Sequence, residues 1–134
     1  MRLLTKIRDR MLGKTLKRDI RFDSGGFSVV PYKKPETRVL WSGVFEVFAF
    51  KQDLFSVDQI CLGFRVDDAG RFVWVGEDDG GFRAFRAEVE MRFPSIDADW
   101  FGKVAQPPFQ ENRSTLWHRT SRKKARRTIH PHPS

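Results

Sequence analysis

Cysteine occurs once in the 134 residues, at Cys61. That excludes an internal disulfide framework and any zinc site built from several thiolates. Histidine is also scarce. His130 and His132 stand in a Pro-containing end without convergent Cys, Asp or Glu, so no metal-ligand spacing is formed, and His118 with the cations Lys103, Arg113 and Arg119 is a single histidine that does not make a phosphodiester-cleaving set. No apolar run approaches the roughly 20 residues that cross a bilayer, and Leu3-Leu4 is too short for the apolar region of a secretory signal, so the expected setting is the cytoplasm without integral membrane association. A phosphate-binding loop is absent too. Gly13-Lys14-Thr15 has Arg8 where such a loop needs its first glycine, and no hydrophobic strand precedes it.

Large apolar side chains, in contrast, are plentiful. Thirteen Phe, four Trp and one Tyr in a chain of 15.7 kDa supply one hydrophobic core and argue against global disorder. The formal charge of +8 is unevenly distributed. Residues 1–22 carry eight Lys/Arg and two Asp, giving +6; residues 23–112 carry ten and fifteen, giving −5; residues 113–134 carry seven and none, giving +7. Basicity therefore belongs to the ends. An acidic middle repels phosphate and attracts a basic partner, chiefly by speeding encounter.

In residues 1–22, Leu3, Leu4, Ile7 and Met11 recur at helical spacing among Arg2, Lys6, Arg8, Arg10, Lys14, Lys17 and Arg18. This predicts a basic amphipathic segment, weakened at Gly13, that needs docking or a surface for stable helix formation. The opposite end, 120–134, is nearly free of apolar residues and is expected to be a disordered basic tail. Its Arg122, Lys123, Lys124, Arg126 and Arg127 are the candidate contacts to nucleic acid, set against the plainer reading of a solvated tail.

Between the ends, residues 23–119 read as a single α+β domain: an antiparallel β-meander with one main helix packed on a face. Asp23-Ser24-Gly25-Gly26 forms a turn before a short strand from Phe27 to Tyr32. Val39 to Lys51 is largely apolar on both parities, which predicts a central strand, or one covered on both sides by helix and terminal segments, with a bulge or bend at Gly43. From Val57 to Val66, Ile60, Leu62, Phe64 and Val66 alternate with Cys61, Gly63 and Arg65. Asp67-Asp68-Ala69-Gly70 then turns the chain into an antiparallel partner at Phe72 to Val75. Phe82, Phe85, Val89 and Phe93 follow helical spacing up to Pro94. Arg86 with Glu90 and Glu88 with Arg92 are placed to pair on that helix. Asp97 is a candidate cap for a second short helix carrying Trp100, Phe101 and Val104, and Thr115 to Trp117 a last extended piece.

No catalytic constellation emerges. Asp53, Asp58, Asp67, Asp68, Glu77, Asp78 and Asp79 match no acid–base or magnesium spacing, and acids beside turns and helix starts are ordinary. Cys61 lies in an apolar strand, where cysteine serves as a small hydrophobe. Trp41, Trp74, Trp100 and Trp117 are aromatics for the core or, alternatively, for a partner.

Several stretches carry a resemblance. Phe50-Lys51-Gln52-Asp53-Leu54-Phe55-Ser56-Val57-Asp58-Gln59-Ile60-Cys61, Gly81-Phe82, Arg92-Phe93-Pro94, Trp100-Phe101, Val104 to Phe109 and Asn112 to Trp117 resemble small uncharacterised bacterial proteins, over about residues 37–119. Those in turn are similar to the immunity proteins of bacterial toxin systems. The resemblance implies masking of a protein, with no assigned catalytic residue or cofactor. The long basic ends depart from the pattern. The expectation is a non-enzymatic, protein-binding module, an immunity-type protein for a basic toxin, that binds through Asp53, Asp58, Asp67, Asp68, Glu77, Asp78 and Asp79. The alternative is a nucleic-acid-associated protein acting through its termini.

Overall fold

A computed structural model describes residues 18–54, 57–106 and 113–119. Among the described residues, seven strands and two α-helices make an α+β fold. In chain order they are β1 (Arg18–Phe22), β2 (Gly26–Pro31), β3 (Thr37–Leu40), β4 (Glu46–Leu54), β5 (Val57–Arg65), β6 (Phe72–Gly76), α1 (Phe82–Arg92), α2 (Trp100–Ala105) and β7 (Ser114–His118). All ladder pairings are antiparallel, in a three-stranded sheet of order β1-β2-β3 and a four-stranded sheet of order β6-β5-β4-β7.

Two sequence expectations change here. Arg18–Phe22, expected at the end of a basic helical segment, is a strand paired with β2. The reason is local: Asp23 Oδ1 accepts the Gly25 and Gly26 amides (2.9 and 3.0 Å), making a tight turn that returns the chain onto Phe22. Residues 1–17, the rest of that segment, and the tail 120–134 lie outside the described residues. The apolar run from Val39 to Lys51 is also not one strand. A 3₁₀ turn at Trp41–Gly43 divides it into β3 and β4, which belong to different sheets. The bend expected at Gly43 is thus the crossing from one sheet to the other.

The expected meander is β4-β5-β6, joined by the Asp67-to-Gly70 turn in which Asp67 Oδ1 accepts the Ala69 and Arg71 amides (2.9 and 3.0 Å). Helix α1 starts at Gly81, whose φ of 84° suits glycine, and where a Cβ would stand 2.9 Å from the Ile20 carbonyl oxygen. Its apolar positions Phe82, Phe85 and Val89 are buried, and the predicted Arg86–Glu90 and Arg92–Glu88 pairs are present. Asp99 occupies the N-cap position of α2 without a side-chain cap hydrogen bond, its carbonyl accepting the Lys103 amide (3.1 Å); Asp97 accepts the Asp99 amide and pairs with Lys103.

The core forms where three layers converge. Phe27 of β2, Phe64 of β5 and Phe85 of α1 meet with ring centroids 4.7 Å (Phe27–Phe64), 4.8 Å (Phe27–Phe85) and 5.7 Å (Phe64–Phe85) apart. Full burial of each such side chain contributes about 1.5–3 kcal/mol. Ile60, Leu62, Val75, Val47 and Ala49 extend this core across one face of the larger sheet, and both helices send their buried residues into it. The small sheet is tied to the start of α1 by Ile20 N–H donating to Gly80 O (2.8 Å) and Gly80 N–H donating to Arg18 O (2.7 Å). Among the described residues, no helix is long and apolar enough to cross a membrane.

Candidate partner-binding surface

Strand register decides which of the candidate acids share a surface. Asp53 and Asp58 pair directly, next to Leu54 and Val57 where β4 passes into β5. Beyond the end of β6, Glu77 N–H donates to Ile60 O (3.0 Å), and Glu77 Oε1 accepts the Ile60 amide (2.9 Å). Asp78 N–H donates to Gln59 Oε1 (3.2 Å). The Glu77–Asp78 turn is therefore stitched to the part of β5 next to Asp58. Four acids, Asp53, Asp58, Glu77 and Asp78, gather at one end of the four-stranded sheet, with Glu77 and Asp78 exposed.

Asp67 and Asp68 sit at the other end of β5. Nine residues at about 3.3 Å each separate Asp58 from Asp67 by roughly 30 Å, so the two groups stand at opposite ends of the strand. Asp67 is also engaged by its own turn and by Arg71 (3.3 Å). Asp79 serves a different purpose. Only 6% exposed, it receives Arg18 through two nitrogens and the Gly76 amide (2.8 Å) through Oδ2. Its charge is met inside the molecule, by Arg18 and the Gly76 amide, unlike the exposed Glu77 and Asp78. Arg122, Lys123, Lys124, Arg126 and Arg127 fall outside the described residues.

A second feature adjoins the acidic end. On β5, Ile60, Leu62 and Phe64 point into the core, so Gln59, Cys61 and Gly63 lie on the opposite, outer face. The register places Phe48 and Phe50 of β4 on one side of them and Trp74 and Phe72 of β6 on the other. The four rings form a continuous cluster: Phe48–Phe72 at 5.2 Å, Phe48–Phe50 at 5.7 Å, Phe50–Phe72 at 6.4 Å and Phe50–Trp74 at 6.5 Å. Gly63 makes the cluster close-packed, because a Cβ there would stand 2.3 Å from the Phe48 ring. No described helix contributes a buried residue to this face.

Guanidinium groups border the rings. Arg18 lies over Trp74 (3.9 Å to the centroid) and Arg113 over Phe48 (3.7 Å), geometries in which a cation is held by the aromatic quadrupole. At the end away from the acids, Glu46 gathers Arg65 (3.2 Å), Arg113 (3.8 Å) and the Thr115 hydroxyl (2.6 Å). Partial burial pushes the Glu46 carboxyl upward, but the hydrogen bonds from Thr115 and Arg65 outweigh it and leave the group below its ordinary value.

Cys61 is fully buried, and burial pushes its thiol up to about 12, assisted by the negative charge of Asp79. A thiol so protonated is no nucleophile. Gln59 is 2% exposed; its Oε1 serves Asp78, and among the described residues its Nε2 has no acceptor. Nor do three His, Cys, Asp or Glu side chains converge into a metal-holding group among the described residues. The aromatic outer face was not anticipated from the sequence as a surface, although the apolar character of both parities of β4 was its signal.

Comparison with family models, curated proteins and solved structures gives no match to this chain.

Proposed function

We propose that the protein is a non-enzymatic, cytoplasmic protein-binding module that receives a basic protein at the acidic end of its larger sheet, in the manner of an immunity protein masking a toxin. The observation that carries this reading is the grouping of Asp53, Asp58, Glu77 and Asp78 by strand register at one end of the sheet. The family resemblance read in the sequence points the same way. Clustered carboxylates raise the encounter rate with a cationic surface, and occlusion by the sheet end supplies the masking. Asp67 and Asp68, at the far end, add only long-range steering.

The test begins with affinity capture by the full chain from its native cell, followed by association kinetics with the captured protein. Replacing Asp53 and Asp58 by Asn, Glu77 by Gln and Asp78 by Asn slows association about tenfold at low salt, whereas Asp67→Asn with Asp68→Asn leaves it nearly unchanged. Equal rates for both variants would overturn this location. The second reading, nucleic-acid association, is favoured by the +7 carried by residues 113–134. It requires that generic RNA or DNA be bound with a steep loss on raising salt, and that the loss be shallower when Arg122, Lys123, Lys124, Arg126 and Arg127 are neutralised.

A further inference from the structure

We infer that the outer edge of β3 is a docking site for an extended segment of another protein, one that alternates apolar and acidic residues and joins the small sheet as an added strand. The site is separate from the acidic end of the larger sheet, and neither reading depends on the other.

The ladder decides which peptide groups face outward. Trp41 N–H donates to Gly25 O (3.1 Å), so the hydrogen-bonded pairs between β2 and β3 fall at Phe27–Val39 and Val29–Thr37. The Arg38 amide and carbonyl and the Leu40 amide therefore turn away from β2. Two other edges are covered from within the chain. Strand β1 exchanges two hydrogen bonds with Gly80, and on β6 the Trp74 carbonyl accepts Arg18 while the Gly76 amide donates to Asp79. Among the described residues, β3 has no such cover.

This edge borders a groove. A cavity of 430 Å³ is lined from β3 by Val39 and Leu40, from the other side by Val66, Phe72 and Val73, and by the two cations Arg38 and Arg71. Leu40 and Phe72 are large apolar side chains left 53% and 42% exposed.

Pairing fixes the pattern of the occupant. A residue opposite Val39 points to the same side of the sheet as Val39, where Val66 and Val73 are only partly buried against the core. That position takes an apolar side chain. Its two neighbours point to the opposite side, beside Arg38. Arg38 binds Asp23 through Nη2 (2.8 Å) and Arg71 binds Asp67 through Nε (3.3 Å), the Arg71 side chain remaining 76% exposed. A guanidinium has five N–H donors, and exposed pairs of this kind leave it able to take a second carboxylate. An acidic side chain across from Arg38 is thus attracted, and a basic one repelled.

The probe is a soluble peptide of about eight residues alternating valine and glutamate, titrated into the isotope-labelled full chain. Amide hydrogen exchange is expected to slow about tenfold at Arg38 and Leu40 but not at Val39, whose amide already faces Phe27. Leu40→Pro removes one outward donor at a position whose φ of −86° is close to that of proline, and it binds the peptide about tenfold more weakly than Leu40→Ala, which keeps the donor. Arg71→Ala, at an exposed position outside β3, weakens binding about threefold and keeps the test independent of strand integrity. Unchanged Arg38 and Leu40 amides in a large excess of peptide overturn the inference, and so does equal binding of a peptide with lysine in place of glutamate. Slowing that occurs without peptide and grows with protein concentration overturns it in favour of a second copy at this edge. Glu77→Gln with Asp78→Asn is expected to leave peptide binding unchanged, and its loss there would overturn the location. Failure of the peptide to bind leaves the association kinetics at the acidic end as they were, so the two readings fail separately.

Discussion

Arg18 and Asp79 meet as a two-point ion pair between positions 61 residues apart, with Nε–Oδ1 at 3.0 Å and Nη2–Oδ2 at 2.6 Å. The pair joins the first strand of the small sheet to the turn that precedes α1. Their side chains are 14% and 3% exposed, so water cannot replace either partner well. Asp79→Ala leaves a shielded guanidinium and the Gly76 amide without their acceptor. The expected loss is about 2–4 kcal/mol, read as a fall in the urea midpoint at unchanged slope. A loss below about 1 kcal/mol would show that the pair only decorates the junction.

Gly63 and Gly102 provide a matched contrast. A Cβ at Gly63 stands 2.3 Å from the ring of Phe48, which is 1% exposed and has no room to retreat. Gly63→Ala is expected to cost about 1–3 kcal/mol through overpacking. At Gly102, within α2, a Cβ meets nothing within 4 Å. Gly102→Ala is expected to stabilise by about 0.5–1 kcal/mol, because alanine suits a helix interior better. Chemical denaturation of the two variants checks both signs.

The thiol of Cys61 is held protonated by burial up to about 12, against an ordinary value of 9.0. Because the folded value is raised, the associated stability is complete below pH 9 and is lost as pH rises toward 12. Alkylation of the native protein is expected to be slow and to keep rising with pH without a plateau near 9, whereas the urea-unfolded chain levels off there. A native plateau near 9 would mean that the thiol reaches solvent.

At the opposite extreme of pH, Asp23 is the group to follow. Its hydrogen bond from Arg38, aided by those from the Gly25 and Gly26 amides, lowers its carboxyl from 3.8 to about 2. A lowered folded value stabilises above the unfolded one and is lost as pH falls from about 4 through 2. Carbonyl-carbon NMR titration is expected to place the Asp23 midpoint near 2 and to move it upward in Arg38→Gln. Because the ion pair is exposed, the shift in the midpoint is the readout rather than global stability.

Much of the fold is legible in the sequence where a local pattern has only one solution. Ile60, Leu62 and Phe64 alternate with Cys61 and Gly63, and Asp67 to Gly70 supply the turn, so β5 and β6 follow. Helix α1 is announced by Phe82, Phe85 and Val89. The division of Val39–Lys51 is not legible, because apolar residues on both parities fit one doubly covered strand as well as two strands in different sheets. Nor is the start of β1: basic residues at helical spacing continue through Arg18, and only the turn at Asp23 reverses the chain into a strand. The candidate surface was half visible. Seven acids beside turns can be listed from sequence, but which end of a strand each turn occupies is a matter of register. Asp78 and Asp79 are neighbours of equal composition; only Arg18, distant in sequence, separates an exposed carboxylate from an internal one.

The hydrogen bond from Arg18 to the Trp74 carbonyl (3.3 Å) has a bearing on aggregation. Strand β6 borders the larger sheet, and a bordering strand with unsatisfied peptide groups invites the pairing of foreign chains. A guanidinium seated on one of those peptide oxygens, with Arg18 itself anchored by Asp79, blunts that invitation. The molecule thereby discourages fibril-like growth from this side using a residue it already spends on joining its two sheets.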